Sequence, residues 1–210
     1  MLTAKTVSKF LDELASDSPA PGGGSTAALA GALGSALTSM VCRLTIGKKK
    51  YADVEGEMKS ILEKSEELRG KFTALIDLDT EAFNKVMEAY SLPKDNDGQK
   101  ALRSMAIEQS TKQATLAPLE TMKHVIDAMA LAKTVAEKGN ASSASDAGVS
   151  ALMLHAAMES AALNVEINLG SIKDAEFVGW KTEELSTLRR TGSAQTEEIM
   201  KFVRKKMETK

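Results

Sequence analysis

The stretch Ser18-Pro19-Ala20-Pro21-Gly22-Gly23-Gly24-Ser25, followed by the run TAALAGALGSALTSMVC at 26–42, decides the fold of this chain. The prolines and glycines end any preceding helix and form a turn. From Ser25 to Cys42, eighteen residues carry no charge, and most are Ala, Gly or Ser. Small side chains let neighbouring backbones approach closely. We therefore predict a helix from Ser25 to about residue 46 at the centre of the molecule, packed on all sides and suited to a subunit contact.

The same uncharged run is long enough to cross a membrane, which is the alternative interpretation. Its hydrophobicity is weak, because seven of its eighteen residues are Ala or Gly and five carry hydroxyl groups: Ser25, Thr26, Ser35, Thr38 and Ser39. The rest of the chain offers no second span to pair with it. We expect a core helix and no membrane.

The remainder of the chain favours long helices. The four prolines are Pro19, Pro21, Pro93 and Pro118, and no segment shows the alternation of β-branched residues that is typical of strands. Further helices are predicted at about 6–14, 53–90, 99–116, 145–169 and 173–208, the last with a weak point at Gly192. Pro118 either kinks its helix or starts another that ends near residue 139. We predict one all-α domain over 1–210, built as an antiparallel helical bundle.

Composition excludes several classes of protein. The net charge is −2, so no basic surface argues for nucleic acid. Cys42, His124 and His155 are the only cysteine and histidines, too few for a disulfide or a Cys/His zinc cluster. The first residues lack the apolar stretch of a secretory signal. These features indicate a cytoplasmic protein without a metal site.

Asp79 lies in the middle of an apolar helical stripe. At 100° per residue the stripe contains Phe72, Leu75, Ile76, Ala82, Phe83, Val86, Met87 and Tyr90. An ionised carboxylate on such a face is costly unless it is paired or hydrogen-bonded. Asp79 is therefore either a structural group that pairs with a cation or caps a neighbouring helix, or a functional carboxylate with a tuned pKa. Asp77 lies roughly opposite, where a solvated surface is the alternative.

The helix predicted at 145–169 also carries polar residues along one helical stripe, among them Asp146 and Asn164. Eighteen residues separate them, which is roughly 27 Å along a straight helix. They therefore belong to different ends of an elongated ligand site, or one of them is structural. Asn140 and Asp146 stand at the helix start, where capping is the alternative role.

Each end of the central helix carries a candidate ligand contact. Gly23, Gly24 and Ser25 open the helix, where free N–H groups attract an anion and glycines allow close approach. The spacing matches neither a Walker loop nor a dinucleotide fingerprint. Lys48, Lys49 and Lys50 follow the other end, where they either balance the helix dipole or dock a carboxylate-bearing ligand.

Several motifs together resemble the cyclodeaminase/cyclohydrolase family, and the resemblance covers nearly the whole chain in order. They are SPAPGGGS at 18–25, Leu44-Thr45-Ile46-Gly47-Lys48-Lys49-Lys50-Tyr51, Asp77-x-Asp79-x-x-Ala82-Phe83, Pro118-x-Glu120, Gly139-Asn140 with Ser145-Asp146, and Asn164 with Asn168. The resemblance implies an all-helical homodimer acting on one-carbon derivatives of tetrahydrofolate. The expected reaction is hydrolysis of 5,10-methenyltetrahydrofolate to 10-formyltetrahydrofolate.

Two other functions stay open at this point. One is a formimidoyltetrahydrofolate cyclodeaminase, which releases ammonia, and the other is a non-catalytic folate-binding helical dimer. For the enzyme, the predicted catalytic carboxylates are Asp79, Asp146 and Asp77. The predicted substrate contacts are Ser25, Gly23, Gly24, Asn140, Asn164, and Lys48 and Lys49 for the glutamate tail. Neither reaction needs a metal or a cofactor, so none is expected.

Overall fold

The computed structural model describes residues 1–208, which form a bundle of α-helices without a strand in that range. The helices are α1 Val7–Leu14, α2 Gly23–Thr45, α3 Glu55–Tyr90, α4 Asp97–Lys138, α5 Ala144–Leu169 and α6 Ala175–Glu208. Short 3-10 turns span Leu2–Ala4, Lys49–Val54 and Ala141–Ser143. The all-α prediction is confirmed.

Helix α2 is the central helix of the bundle, as predicted, and its small residues explain why. A Cβ on Gly31 would lie 2.5 Å from Cδ1 of Phe72 on α3, and one on Gly34 would lie 2.7 Å from Cγ of Leu154 on α5. These glycines let α2 approach both neighbours closely. The helix starts at Gly23, two residues before the predicted start, because Gly23 and Gly24 form part of its first turn.

Helix α2 also passes the length and composition test for a membrane span, alone among the helices of residues 1–208. In this structure, 56% of its apolar window is buried inside the protein. The helix packs against α3, α4 and α5.

Helix α4 is one helix through Pro118, so the predicted alternative of a new helix that starts there is wrong. It runs without a break from Asp97 to Lys138, although Pro118 lacks the N–H that would bond to the Ala114 carbonyl. Both Pro118 and Leu119 are buried, so packing on both sides of the proline holds the helix together. Helix α6 likewise continues through Gly192, which is buried against Met158 of α5.

The α3–α4 hairpin extends beyond the N-terminus of α2. The two helices run antiparallel. At one end Nζ of Lys138 lies 2.9 Å from Oε1 of Glu57, and at the other end Nη2 of Arg103 donates a hydrogen bond of 3.0 Å to the Tyr90 carbonyl. Helix α5 runs antiparallel to α2, because the Thr38 and Ser150 hydroxyls lie 2.9 Å apart and Gly23 meets Asn164. The start of α2, the second half of α3 and the end of α5 therefore meet at one end of the bundle.

Candidate active site

A pocket of about 330 Å³ lies where α2 begins, between the second half of α3, α4 and the end of α5. This volume is within the ordinary range for small-molecule sites. Asp79 is the one charged side chain among the residues that line it. Around it stand apolar walls and neutral polar groups, contributed by Pro19, Gly23, Gly24, Thr80, Phe83, Val86, Asn164 and Asn168. The pocket therefore favours a ligand with a positive charge near the carboxylate.

The Asp79 carboxylate lies at the N-terminus of α2. The Ser25 hydroxyl is 3.0 Å from its Oδ2, and the Ser25 backbone N–H also donates to it. The same hydroxyl lies 3.0 Å from the Ile76 carbonyl and 3.1 Å from the Thr80 hydroxyl. No side chain caps α2 at Gly22, so Asp79 acts as its cap from another helix. The capping role that the sequence left open for Asp79 is thus present, and it coexists with access to the pocket.

Gly24 allows the carboxylate to sit this close to the α2 backbone. A Cβ on Gly24 would overlap the Asp79 side chain, lying only 2.5 Å from its Cγ. That separation is far below van der Waals contact, so any larger residue must displace the carboxylate. The glycine motif therefore places the helix N-terminus directly against Asp79.

Burial controls the ionisation of Asp79. Removal from water raises the pKa of its carboxyl above the ordinary value, and the two hydrogen bonds from Ser25 oppose this rise. The carboxylate is thus held by specific donors in a half-buried site. A cationic ligand beside it would favour the ionised form and bring the pKa back down.

Asn164 forms the opposite wall of the pocket. Its Nδ2 donates to the Ser160 carbonyl at 2.8 Å, which orients the amide. A Cβ on Gly23 would lie 3.3 Å from Asn164 Oδ1, so this oxygen faces the helix start at close range. Of the predicted site residues, the structure brings together Asp79, Ser25, Gly23, Gly24 and Asn164.

Asp77 does not reach this pocket. Its carboxylate accepts hydrogen bonds from the Leu2 backbone N–H and, at 2.8 Å, from the Thr3 hydroxyl. These contacts hold the N-terminal turn against α3. The assignment of Asp77 beside Asp79 thus conflicts with their placement, because residues two apart on a helix face different directions.

Asn140 and Asp146 lie at the far end of α2 from the pocket. The Asn140 amide donates to the Leu44 carbonyl at 3.0 Å, and its Oδ1 accepts from the Ser142 N–H at 3.1 Å. The backbone N–H of Asn140 also donates to the Thr45 hydroxyl. Asn140 therefore joins the end of α2 to the start of the next turn. Asp146 lies half-buried in the first turn of α5.

Lys48 and Lys49 are exposed beyond the C-terminus of α2. Helix α2 has 23 residues and spans roughly 33 Å, so these lysines are remote from Asp79 within one subunit. Their predicted contact with a ligand in this pocket therefore cannot be made by the same chain.

Thr80 and Asn168 also line the pocket, although neither was among the predicted site residues. Asn168 follows Asn164 by one helical turn on the same face, and this spacing was the available signal. Thr80 gave no such signal, because its hydroxyl matters only through its contact with Ser25 on another helix.

Comparison with known proteins gives three concordant matches. A family model described as formiminotransferase-cyclodeaminase matches residues 6–187. A methenyltetrahydrofolate cyclohydrolase of Methylorubrum extorquens is 47% identical over 203 residues, covering 97% of this chain and 98% of that protein. The crystal structure of a formiminotetrahydrofolate cyclodeaminase from Thermotoga maritima has a TM-score of 0.87 at 33% identity, covering 97% and 98% of the two chains.

Longer relatives match over part of their length. The formimidoyltransferase-cyclodeaminase of Gallus gallus is 35% identical over 182 residues, which is 87% of this chain and 33% of that protein. The chain thus spans about a third of the length of that relative.

Proposed function

This chain belongs to the formiminotransferase-cyclodeaminase family, and we propose that it hydrolyses 5,10-methenyltetrahydrofolate to 10-formyltetrahydrofolate. The proposal follows the 47% identical cyclohydrolase, which matches over nearly the full length of both chains. The structural observation that supports the proposal is that Asp79 is the single charged side chain lining the pocket. The one-carbon bridge of the substrate is an amidinium cation, which is the charge that Asp79 complements.

The proposed reaction begins with attack of water on the bridging carbon. The water loses one proton, and the carbon becomes a tetrahedral adduct as the amidinium charge is neutralised. The bond from this carbon to N5 then breaks as the hydroxyl of the adduct loses its proton and becomes the formyl carbonyl. N5 takes a proton, the carbon remains on N10 as a formyl group, and the reaction releases one proton overall. Asp79 would stabilise the cation, orient the water and accept its proton.

The surrounding polar groups suit the pterin part of the substrate. Asn164, Asn168 and Thr80 supply neutral donors and acceptors at the wall of the pocket, and Phe83 supplies an apolar face. Such a mixture orients a flat heterocycle without adding another charge. No metal ion is required for this chemistry.

Cyclodeamination of 5-formiminotetrahydrofolate is the second candidate, because the Thermotoga maritima and Gallus gallus relatives carry that name. It proceeds through the same carbon with N10 as the nucleophile and ammonia as the leaving group. The test is to supply both substrates side by side, following loss of the methenyl chromophore and release of ammonia. Chromophore loss above the spontaneous rate without ammonia release supports hydrolysis, whereas binding without turnover of either substrate identifies a non-catalytic folate-binding protein.

The acid limb of the pH–rate profile is expected to report Asp79. Because burial raises its pKa, kcat/KM should fall as the pH drops through a value above the ordinary aspartate value of about 3.9. The acid limb of the kcat profile should lie at lower pH than that of kcat/KM, since the cationic substrate bound beside Asp79 favours the ionised carboxylate. Initial rates of chromophore loss between pH 4 and 8, corrected for spontaneous hydrolysis, give both limbs.

Asp79→Asn provides the control for this profile. The carboxylates of the substrate titrate in the same way with either enzyme. The pH profile of the variant's residual activity should therefore lack only the acid limb that Asp79 produces. An unchanged acid limb in the variant would assign it to another group and remove Asp79 from the proton transfer.

We also propose that the protein is a homodimer joined through the outer faces of α2 and α5. Large apolar side chains are exposed there, including Leu33 at 49%, Leu152 at 47% and Leu163 at 60%. In this arrangement a two-fold axis passes near the middle of α2. The end of one subunit that carries Lys48 and Asp146 then lies beside the Asp79 pocket of the other subunit. The predicted roles of Lys48, Lys49, Asn140 and Asp146 then apply across the subunit boundary.

Leu33→Lys/Leu152→Lys is expected to convert the dimer to a monomer, because two charges on each copy would be buried at the interface. Light scattering after size exclusion measures the mass. Leu102→Lys/Met105→Lys is the matched control, since both side chains are similarly exposed on α4. A wild-type protein that is monomeric at micromolar concentration would contradict this arrangement.

A further inference from the structure

The Ser25 hydroxyl lies behind Asp79 and not in the wall of the pocket. Ser25 is completely buried, at 0% exposed, and the residues that line the cavity include its neighbour Gly24 but not Ser25 itself. Its hydroxyl contacts Oδ2 of Asp79, which does line the cavity. Within one subunit, Ser25 therefore acts on a bound substrate only through the Asp79 carboxylate.

Three oxygen atoms surround this hydroxyl at hydrogen-bond distance. They are Oδ2 of Asp79 and the Ile76 carbonyl, each at 3.0 Å, and Oγ1 of Thr80 at 3.1 Å. A serine hydroxyl has one proton to donate and two lone pairs that accept. Because a carbonyl and an ionised carboxylate only accept, Ser25 cannot donate fully to Ile76 and to Asp79 at the same moment.

The ionisation of Asp79 decides which of these bonds form. With an ionised carboxylate, Ser25 donates to Asp79 and Thr80 donates to Ser25, so two protons serve three contacts. With a proton on Oδ2, Asp79 and Thr80 both donate to Ser25, and Ser25 donates to the Ile76 carbonyl. All three contacts are then hydrogen bonds. The same positions of the heavy atoms thus suit both forms of Asp79.

The surroundings leave this exchange to Ser25. The Ile76 carbonyl lies inside α3, where the backbone N–H of residue 80 bonds to it in either state, so it is never left without a donor. The pocket is lined by the segment at 19–24 and by α3, α4 and α5, and Asp79 is the one titratable side chain among these lining residues. Burial and the bonds from Ser25 are accordingly what govern the pKa of Asp79.

We propose that Ser25 is a positioning residue whose hydroxyl reverses its hydrogen bond each time Asp79 gains or loses a proton. The inference rests on the proposed function and explains how one carboxylate serves it first as a base and then as an acid. Oδ2 takes one proton from the attacking water, and Ser25 turns to the Ile76 carbonyl. When the bond from the one-carbon unit to N5 breaks, that proton passes to N5 and Ser25 turns back. The second proton of the water is the one released.

Infrared difference spectra of the protein without substrate test the reversal. Spectra at about pH 4 and about pH 8 are subtracted, and the carboxyl C=O band that Asp79→Asn lacks belongs to protonated Asp79. A carboxyl group that donates a hydrogen bond has a lower C=O frequency than one that does not. In Ser25→Ala, assigned against Ser25→Ala/Asp79→Asn, we expect this band at a higher frequency. A band that stays at the wild-type frequency makes Ser25 a fixed donor and overturns the reversal.

Ser25→Ala should also slow turnover. We expect kcat for 5,10-methenyltetrahydrofolate to fall about tenfold with KM nearly unchanged, because Ser25 contacts the carboxylate and not the substrate. The acid limb of the kcat/KM profile should move up by about one pH unit, since the ionised carboxylate loses a donor. An unchanged limb with an unchanged kcat means that Ser25 only packs the start of α2, which overturns the proposal.

Ser65→Ala is the matched control. Ser65 is 1% exposed, and its hydroxyl also joins α3 to α2, by a bond of 2.8 Å to the Ser35 carbonyl. It comes fourteen residues before Asp79, about 21 Å along the helix, so this variant should keep the infrared band, kcat and the acid limb. A shift of the Asp79 band in Ser65→Ala as large as in Ser25→Ala would make the shift a general effect of a lost buried hydroxyl and overturn the proposal.

The infrared measurement needs no turnover, so it separates this proposal from the proposed function. Turnover of the methenyl substrate together with an Asp79 band that Ser25→Ala leaves in place overturns the reversal and leaves the function standing. A shifted band in a protein that turns over neither folate supports the reversal of the bond and overturns the function.

Discussion

Replacing Asp79 with asparagine is expected to lower kcat/KM for 5,10-methenyltetrahydrofolate by about 10³-fold. The change removes the one charge that lines the pocket but retains an oxygen that can accept the hydrogen bonds from Ser25. Helicity by circular dichroism should be unchanged. Steady-state kinetics with the methenyl chromophore measures the loss.

Stability should not fall with activity in this variant. The folded-state pKa of Asp79 is raised, so the ionised form is disfavoured by folding, and this cost is fully present only above that raised pKa. Asparagine removes the cost, and the variant should be at least as stable as the wild type at neutral pH. Asp77→Asn supplies the comparison, since Asp77 bonds to Leu2 and Thr3 outside the pocket and its loss should leave turnover nearly intact. Full turnover by Asp79→Asn would contradict the proposed mechanism, and only the helical architecture would stand.

Periodicity and residue size predicted most of the architecture. The uncharged, small-residue run at 25–42 has few alternatives to a central helix, and the prolines and glycines mark the turns before α2 and α4. Pro118 is the instructive exception, because its local signal predicts an interruption. The cost of one missing hydrogen bond was outweighed by the burial of Pro118 and Leu119 between neighbouring helices, and a single sequence does not reveal that packing.

The candidate site was predictable where one residue broke its own local pattern. Asp79 on an apolar stripe and the glycines before Ser25 each stood out from their surroundings, and the structure brings them together. Residues that only lay near the helix ends, such as Asp146 and Lys48, did not converge with them within one chain. Periodicity assigns a face to a residue but gives no distance between the ends of different helices.

Gly24→Ala is expected to lower kcat/KM by about 10²-fold, although it adds only a methyl group. The new Cβ overlaps the Asp79 carboxylate, which must move away from the N-terminus of α2. A displacement of about 1 Å at a reacting group is enough for a loss of this size. Most of the loss should appear in kcat, because Asp79 acts on the reacting carbon. The acid limb of the pH profile should shift as well, since the carboxylate loses its donors at Ser25.

Gly70→Ala is the matched control, because a Cβ at Gly70 on α3 meets nothing within 4 Å. Alanine favours a helix by about 1 kcal/mol over glycine, so this variant should raise the melting temperature and keep full activity. The double variant Gly24→Ala/Asp79→Asn distinguishes positioning from damage to α2. If Gly24 acts through the carboxylate, the double variant should be no less active than Asp79→Asn alone. A further loss in the double variant would instead mean that the methyl group distorts the start of α2, and the glycine would then serve the helix and not the position of Asp79.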